Sequence, residues 1–274
     1  GDTLKAEIPH LKSFHDPVLR CPAFLGRCAG LDLVSTWTYT NPSPLGVLQN
    51  ADELLAMANG QHGVCQTIQL FWYKSAAIPP NDATGKVPAS ADSVSAEDAD
   101  AWGNYITISP AHLREAVWLA LSRPVSMLQF GGASAICDRP GSYDYTNRDT
   151  PREMERLATE LIKPYGPMLR AMSERSSNVA ILSSAAGSLF GRTGSYGQTS
   201  GAFGDCHKTV SLAQLQPHVV FDETIRDADL ATCRALVLPA CKVLPNSVHS
   251  AILRFAEAGG IVVADNALGP KIPG

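Results

Sequence analysis

The stretch QTIQLFWYKSA, residues 66–76, begins like a buried strand and ends with two aromatic residues and a lysine. β-Branched and apolar residues fill its first half, and Trp72, Tyr73 and Lys74 follow just before a loop. Successive side chains of a strand point to opposite faces, so Trp72 and Lys74 belong to one face and Tyr73 to the other. The stretch predicts a strand that carries large side chains to the edge of a sheet.

The neighbouring segments alternate between strand and helix. This alternation predicts parallel strands joined by helical crossovers, and Ser109 before Pro110 marks a favoured helix start. The polar insert 78–104 predicts a loop. Three such strands cannot close an eight-stranded barrel alone. Strands are predicted at 31–39, 66–71 and 125–132, and helices at 2–14, 50–60, 109–124 and 150–172.

A second alternating array begins after a boundary near residue 175, which divides the chain into domains 1–172 and 177–274. The glycine-rich segment 185–205 predicts a loop within this array. Further strands are predicted at 178–184, 218–225, 234–241 and 261–266, and helices at 209–216 and 245–260.

Composition narrows the classes of partner. The chain has 274 residues, 45% of them hydrophobic and 18% charged, which is typical of a folded, soluble protein. A net charge of -4 without a cluster of Lys and Arg argues against nucleic acid. No apolar run approaches the roughly 18 residues of a membrane span, so no membrane partner is expected. The amino terminus lacks signal-peptide order, and the compartment stays open.

Cofactor motifs are also missing from the sequence. The seven cysteines include no CxxC pair and no metal-ligand spacing with histidine. The glycine-rich segment 187–205 lacks a Walker lysine and a dinucleotide fingerprint. We therefore expect neither a metal nor an organic cofactor.

Taken in order, the segments of this chain resemble the carboxyl-terminal part of a glycoside hydrolase of the family-42 β-galactosidase type. GLDLVSTWTY (30–39), VCQTIQLFWYKSA (64–76) and ITISPAHLREAVWLALSRPVSMLQFGG (106–132) resemble the closing units of its (β/α)8 barrel. CRALVLPACKVLPNSVHSAILRFAEAGGIVVADN (233–266) resembles its flavodoxin-like, glutamine-amidotransferase-like domain. The resemblance implies an α/β fold, with a partial TIM barrel followed by a flavodoxin-like domain. It further implies a carbohydrate substrate and a homo-oligomer formed through the second domain.

The resemblance also implies where a sugar would bind, because barrel active sites lie at the carboxyl ends of the strands. Aromatic rings stack on sugar rings, and lysine and glutamine hydrogen-bond hydroxyl groups. We expect Trp72 to face the mouth, Lys74 to follow on the rim and Tyr73 to pack outward against a helix. The alternative is that Trp72 and Tyr73 cap the barrel core. The candidate substrate-binding residues are Trp37, Tyr39, Gln69, Trp72, Tyr73, Lys74 and Gln129.

The catalytic carboxylates are missing from the expected place. A retaining glycosidase needs two carboxylates about 5 Å apart, and residues 66–77 contain neither Asp nor Glu. Asp32 begins its strand, and Glu53 and Glu115 lie on predicted helices. Asp138 and Asp144, in the loop after the last barrel strand, can reach the mouth, although a solvated loop carboxylate is the commoner case. A catalytically silent carbohydrate-binding or scaffold protein is therefore the alternative function.

A third class of function would use Cys241 as the nucleophile of an amidotransferase-like hydrolase. A nucleophile elbow needs flanking glycines, and Ala240 and Lys242 stand there instead. His249 follows on the next predicted helix at no diagnostic spacing. The sequence disfavours this function.

Overall fold

A computed structural model describes residues 6–16, 31–38, 43–73, 105–137, 145, 147–172, 177–191, 201–225 and 230–265. Helices and parallel sheets place the chain in the α/β class. Two compact units form, one from Gly1–Thr36, Gln49–Cys65 and Ser173–Gly274, the other from Trp37–Leu48 and Gln66–Met172. Within the described ranges, no helix combines the length and the apolar character that a membrane crossing requires.

The strands are β1 (Phe14–His15), β2 (Leu33–Thr38), β3 (Gly63–Gln69), β4 (Phe71–Tyr73), β5 (Tyr105–Thr107), β6 (Met127–Gly131), β7 (Val179–Ser183), β8 (His218–Phe221), β9 (Ala235–Leu238) and β10 (Ile261–Ala264). The helices are α1 (Leu45–Ala58), α2 (Pro110–Leu121), α3 (Thr150–Arg156), α4 (Lys163–Arg170), α5 (Ala185–Phe190), α6 (Gly201–Leu212) and α7 (Asn246–Glu257). A π-helical segment, Leu157–Ile162, joins α3 to α4.

The first sheet has four strands in the order β1-β2-β3-β6, so strands close in sequence are neighbours in space. The predicted strands at 31–39, 66–71 and 125–132 correspond to β2, β3 and β6. The predicted helix 2–14 is wrong at its end, because Phe14 and His15 form β1 and pair in parallel with Leu33 and Val34. Pro9 lacks an N–H and disrupts a helix through this segment, so strand pairing satisfies the backbone instead.

The stretch 66–76 divides at Leu70. The Leu70 N–H donates to the Gly131 carbonyl at 2.9 Å, and the Leu70 carbonyl accepts from the Ile108 N–H at 3.0 Å. The chain then leaves the sheet, and β4 pairs antiparallel with β5, with Trp72 opposite Ile106. The strand of the first sheet therefore ends before the aromatic pair.

Helix α2 begins at the predicted residue. It packs against the face of the first sheet that carries Ile68. The Ser109 hydroxyl oxygen accepts from the His112 N–H at 3.3 Å, and Pro110 occupies the first turn. Four apolar side chains of α2 are fully buried and share a core with Ile68 and Leu70. Those four residues are Leu113, Ala116, Val117 and Ala120.

The second sheet has the strand order β10-β9-β7-β8, and every neighbouring pair is parallel. Counted from β7, this order is 2-1-3-4, which is the flavodoxin-like arrangement of doubly wound folds. Ile181 at the centre of β7 lies opposite Val219 and Val237. The predicted parallel α/β arrangement after residue 177 is therefore confirmed, while the domain bounds 177–274 stay a prediction.

The predicted loop 185–205 is wrong at both ends, and residues 192–200 lie outside the described ranges. Ser184 caps α5, because its hydroxyl oxygen accepts from the Gly187 N–H at 2.9 Å. Helix α6 begins at Gly201, earlier than the helix predicted at 209–216. A β-carbon on Gly204 would lie 3.1 Å from Gln49 Oε1, so this glycine packs close to the side chain of Gln49.

Candidate functional site

Strands β3 and β6 present polar side chains on the face of the sheet opposite Ile68. The Thr67 hydroxyl donates to Gln129 Oε1 at 3.3 Å, which fixes both side chains on one face. Gln69 follows Thr67 by two residues, so the alternation along a strand places it on that face, at the end of β3. Thr67 was not among the predicted residues, although its polar side chain inside an apolar strand is a recognisable signal.

The ring of Trp37 lies on this face, next to the last residue of β6, Gly131. A β-carbon built on Gly131 would lie 2.5 Å from Trp37 Cη2, so the indole ring lies directly against the Gly131 backbone. Gly131 follows Gln129 by two residues and occupies the same face of β6. We call Trp37, Thr67, Gln69, Gln129 and Gly131 the polar face.

Gln69 carries a hydrogen-bonding atom that the described residues do not use. Its side chain is 1% exposed, and its Nε2 donates to the Phe71 carbonyl at 2.9 Å. Its Oε1 is buried and accepts no hydrogen bond from the described residues. Such orphan acceptors are rare in folded proteins and call for a partner. The carbonyl oxygen of Gln69 is therefore a candidate acceptor for a ligand hydroxyl.

Trp72 packs against a helix. Its ring meets the His112 ring edge to face, with centroids 4.6 Å apart and an interplanar angle of 88°. The half-buried ring also packs against the core that contains Ile68 and Leu113. Burial lowers the pKa of His112 to about 4, so this histidine is neutral at pH 7. These contacts favour the alternative in which Trp72 caps the core.

Three other predicted residues lie wholly or partly outside the described part of the chain. Tyr39 and Lys74 lie outside the described residues, and for Tyr73 the structure describes only the backbone, which pairs with Tyr105. Their roles stay predictions. The structure thus brings together Trp37, Gln69 and Gln129, and places Trp72 on a helix contact.

The described acidic residues near this unit are poorly placed for catalysis. Glu53 is buried within α1, and Glu115 lies on the exposed side of α2. Asp32 precedes β2 and accepts hydrogen bonds from the Ser13 N–H and hydroxyl. Asp138 and Asp144 lie outside the described residues. Across the part of the chain that the structure describes, no three His, Cys, Asp or Glu side chains are grouped to hold a metal ion.

Cys241 does not fit the role of a nucleophile. Its side chain is 1% exposed, and its thiol donates to the Pro239 carbonyl at 3.5 Å. Burial, followed by the charges of Asp222 and Asp265, raises the pKa of the Cys241 thiol to about 12. The reactive thiolate is therefore almost absent at neutral pH. These features disfavour Cys241 as a nucleophile, and no comparison supports an amidotransferase-like function.

The flavodoxin-like unit contains an open cleft of about 700 Å³ at the carboxyl end of β8. Phe190 and Asp222 are among its lining residues. One Asp222 oxygen accepts from the Ser184 hydroxyl at 3.0 Å and from the Ala186 N–H at 2.9 Å. Desolvation raises the pKa of Asp222. These contacts tie one oxygen of the carboxylate to the start of α5, whereas the other, Oδ1, is buried and accepts no hydrogen bond from the described residues.

No protein-family model and no curated protein matches this chain. Among solved structures, α-L-fucosidase isoenzyme 2 from Paenibacillus thiaminolyticus matches 96% of the chain at 14% identity, with a TM-score of 0.57. A β-galactosidase from Bifidobacterium adolescentis matches 33% of the chain at 24% identity, with a TM-score of 0.28. The chain covers 34% of the fucosidase chain and 40% of the galactosidase chain. Its α/β fold is therefore similar to that of about one third of an α-L-fucosidase.

Proposed function

We propose that this chain is part of a glycoside hydrolase and supplies one wall of its sugar-binding cleft. One observation carries the proposal: an indole ring and two amide side chains lie on one face, near the carboxyl ends of neighbouring strands. Trp37 offers an apolar surface for the C–H face of a sugar, and Gln69 and Gln129 offer amides for its hydroxyls. The similarity of fold to an α-L-fucosidase supports this choice of ligand.

The finer proposal is a β-galactosidase-like activity that uses two carboxylates. The described acidic residues do not form such a pair, so the nucleophile and the acid/base must come from residues outside the described ranges or from another part of a longer polypeptide. Within this sequence Asp138 and Asp144 are the candidates, because they follow β6, the strand that carries Gln129 and Gly131.

Binding and turnover can be tested separately. The 274-residue protein would be titrated with galactose and fucose by calorimetry and assayed on aryl β-galactosides and aryl α-fucosides. The proposal expects sugar binding that Trp37→Ala weakens by about 1 to 3 kcal/mol, the scale of one aromatic contact. Absence of binding to both sugars, in a protein shown to be folded by circular dichroism, would count against it.

The second candidate is a carbohydrate-binding protein without catalytic activity. The observation that favours it is that the described acidic residues of the unit containing Trp37 lie on or next to helices, as with Glu115 and Glu153. This function expects sugar binding without turnover, and no effect of Asp138→Asn or Asp144→Asn on affinity. Turnover that either substitution abolishes would identify the enzyme.

We further propose that the flavodoxin-like unit self-associates. Support comes from β10, which among the described residues is an outer strand of its sheet and whose Ile261 and Val263 are 62% and 48% exposed. Its four residues include none of the charges that usually protect an outer strand. Sedimentation of the wild type and of Ile261→Lys tests this proposal. A wild type that stays monomeric at all concentrations would contradict it.

A further inference from the structure

We propose that Gly131 is a positioning residue that sets the place of the Trp37 ring in the sugar-binding wall. This inference rests on the proposed function. A β-carbon on Gly131 has its three nearest neighbours in a single side chain, and all three are atoms of the Trp37 ring. A contact of 2.5 Å with Cη2 is closer than real β-carbons approach other atoms, so any side chain at 131 must displace the ring.

The backbone gives no separate reason for glycine at this position. Gly131 lies within β6 without a positive φ, so alanine can adopt its conformation. Its neighbour Gly132 differs, because its φ is +85° and a β-carbon there would lie 2.6 Å from Phe71 Cε1. Phe71 is buried in the core, whereas Trp37 is half-buried. Gly132 is therefore required by the fold, and Gly131 by the position of Trp37.

The consequence for sugar binding follows from the geometry of the polar face. Gly131 and Gln129 lie two residues apart on β6, so the ring held by Gly131 stands beside the amide of Gln129. A sugar that stacks on the ring and bonds the amide needs both groups at fixed positions. A methyl group at position 131 would push the Trp37 ring away from the Gln129 amide, although both groups would still be present. Gly131 thus governs affinity without contacting the sugar.

The test is a cycle of Gly131→Ala, Trp37→Phe and the double variant. Phenylalanine lacks the outer ring atoms that a methyl group at 131 would meet. We expect Gly131→Ala to weaken sugar affinity about three- to tenfold, less than Trp37→Ala, because the ring is displaced and not removed. In the Trp37→Phe background the same change should have little further effect. Gly46→Ala is the matched control, because a β-carbon there meets nothing within 4 Å.

A second readout does not depend on sugar. The chain has four tryptophans, and Trp37→Phe assigns the indole N–H signal of Trp37 by NMR. Gly131→Ala should shift that signal, and Gly46→Ala should not. An unshifted signal, or an affinity loss equally large in the Trp37→Phe background, would overturn the inference. A shifted signal in a protein that binds no sugar would uphold the ring position and reject the proposed function.

Discussion

His207 Nε2 lies 2.8 Å from Asp52 Oδ2, and both side chains are almost completely buried, at 1% and 4% exposure. This contact joins α6 to α1 within one unit of the fold. Phe203 packs beside His207, with ring centroids 6.3 Å apart. The pair therefore stabilises α6, whose two glycines lower its intrinsic helix propensity.

Replacing His207 by Ala should lower the free energy of unfolding by about 1 to 3 kcal/mol, because a buried carboxylate oxygen of Asp52 loses a partner. Urea denaturation at pH 7 measures the loss. His218→Ala, at a half-buried histidine of the same unit, is the control. An unchanged unfolding midpoint for His207→Ala would show that Asp52 gains nothing from the contact.

Glu153 should make the protein sensitive to acid. Hydrogen bonds from Arg156 and then Arg114, at 2.7 and 2.8 Å, lower the pKa of Glu153 to about 2. A lowered folded-state pKa stabilises the fold above the unfolded value of about 4.3, and this stability is lost as the pH falls toward 2. Between pH 5 and pH 2 the wild type should therefore lose more stability than Glu153→Gln.

Thermal melts across that pH range test the prediction for Glu153. Glu160→Gln is the matched control, since Glu160 also pairs with Arg156 but its side chain is 65% exposed. Exposed pairs of this kind contribute little to stability. Equal acid sensitivity in wild type and Glu153→Gln would show that other carboxylates govern acid unfolding.

Cys241 should resist alkylation in the folded protein. Its thiol is buried and has a pKa of about 12, so iodoacetamide at pH 7 meets almost no thiolate. Cys137, which is half-buried, should react before Cys241. Mass spectrometry of digests before and after denaturation in urea measures both rates. Rapid native labelling of Cys241 would restore the amidotransferase-like function to consideration.

Trp72→Ala should reduce stability more than sugar affinity. The ring fills space between His112 and the core, and truncating such a residue costs about 3 to 5 kcal/mol. Thermal melts and sugar titrations on the folded fraction separate the two effects. An affinity loss of about 1 to 3 kcal/mol with little change in stability would instead place Trp72 in the cleft.

Local signals predict parts of this fold well. Ser109 and Pro110 mark the start of α2 because capping depends only on residues within one turn. β1 is missed because its pairing partners, Leu33 and Val34, are distant in sequence. Helix α6 is missed for a similar reason, since the packing of Gly204 against Gln49 is a tertiary contact.

The candidate site shows the same limit. Strand-end positions predict Trp37, Gln69 and Gln129, because side chains at the ends of neighbouring strands share an edge. The sequence does not show that the chain turns away at Leu70, so Trp72 is predicted at the mouth while its ring lies against His112. Consecutive glycines at 131 and 132 are a signal of close backbone approach that sequence analysis can use.

The antiparallel pairing of Tyr73 with Tyr105 holds both ends of the connection 74–104 side by side. Because the closure is made by the hairpin, lengthening the connection costs little, about 0.6 kcal/mol for each doubling of its length. A change in the length of this connection is therefore expected to cost little stability. The same position would accept a reporter domain, inserted where its two termini enter and leave the host at neighbouring points.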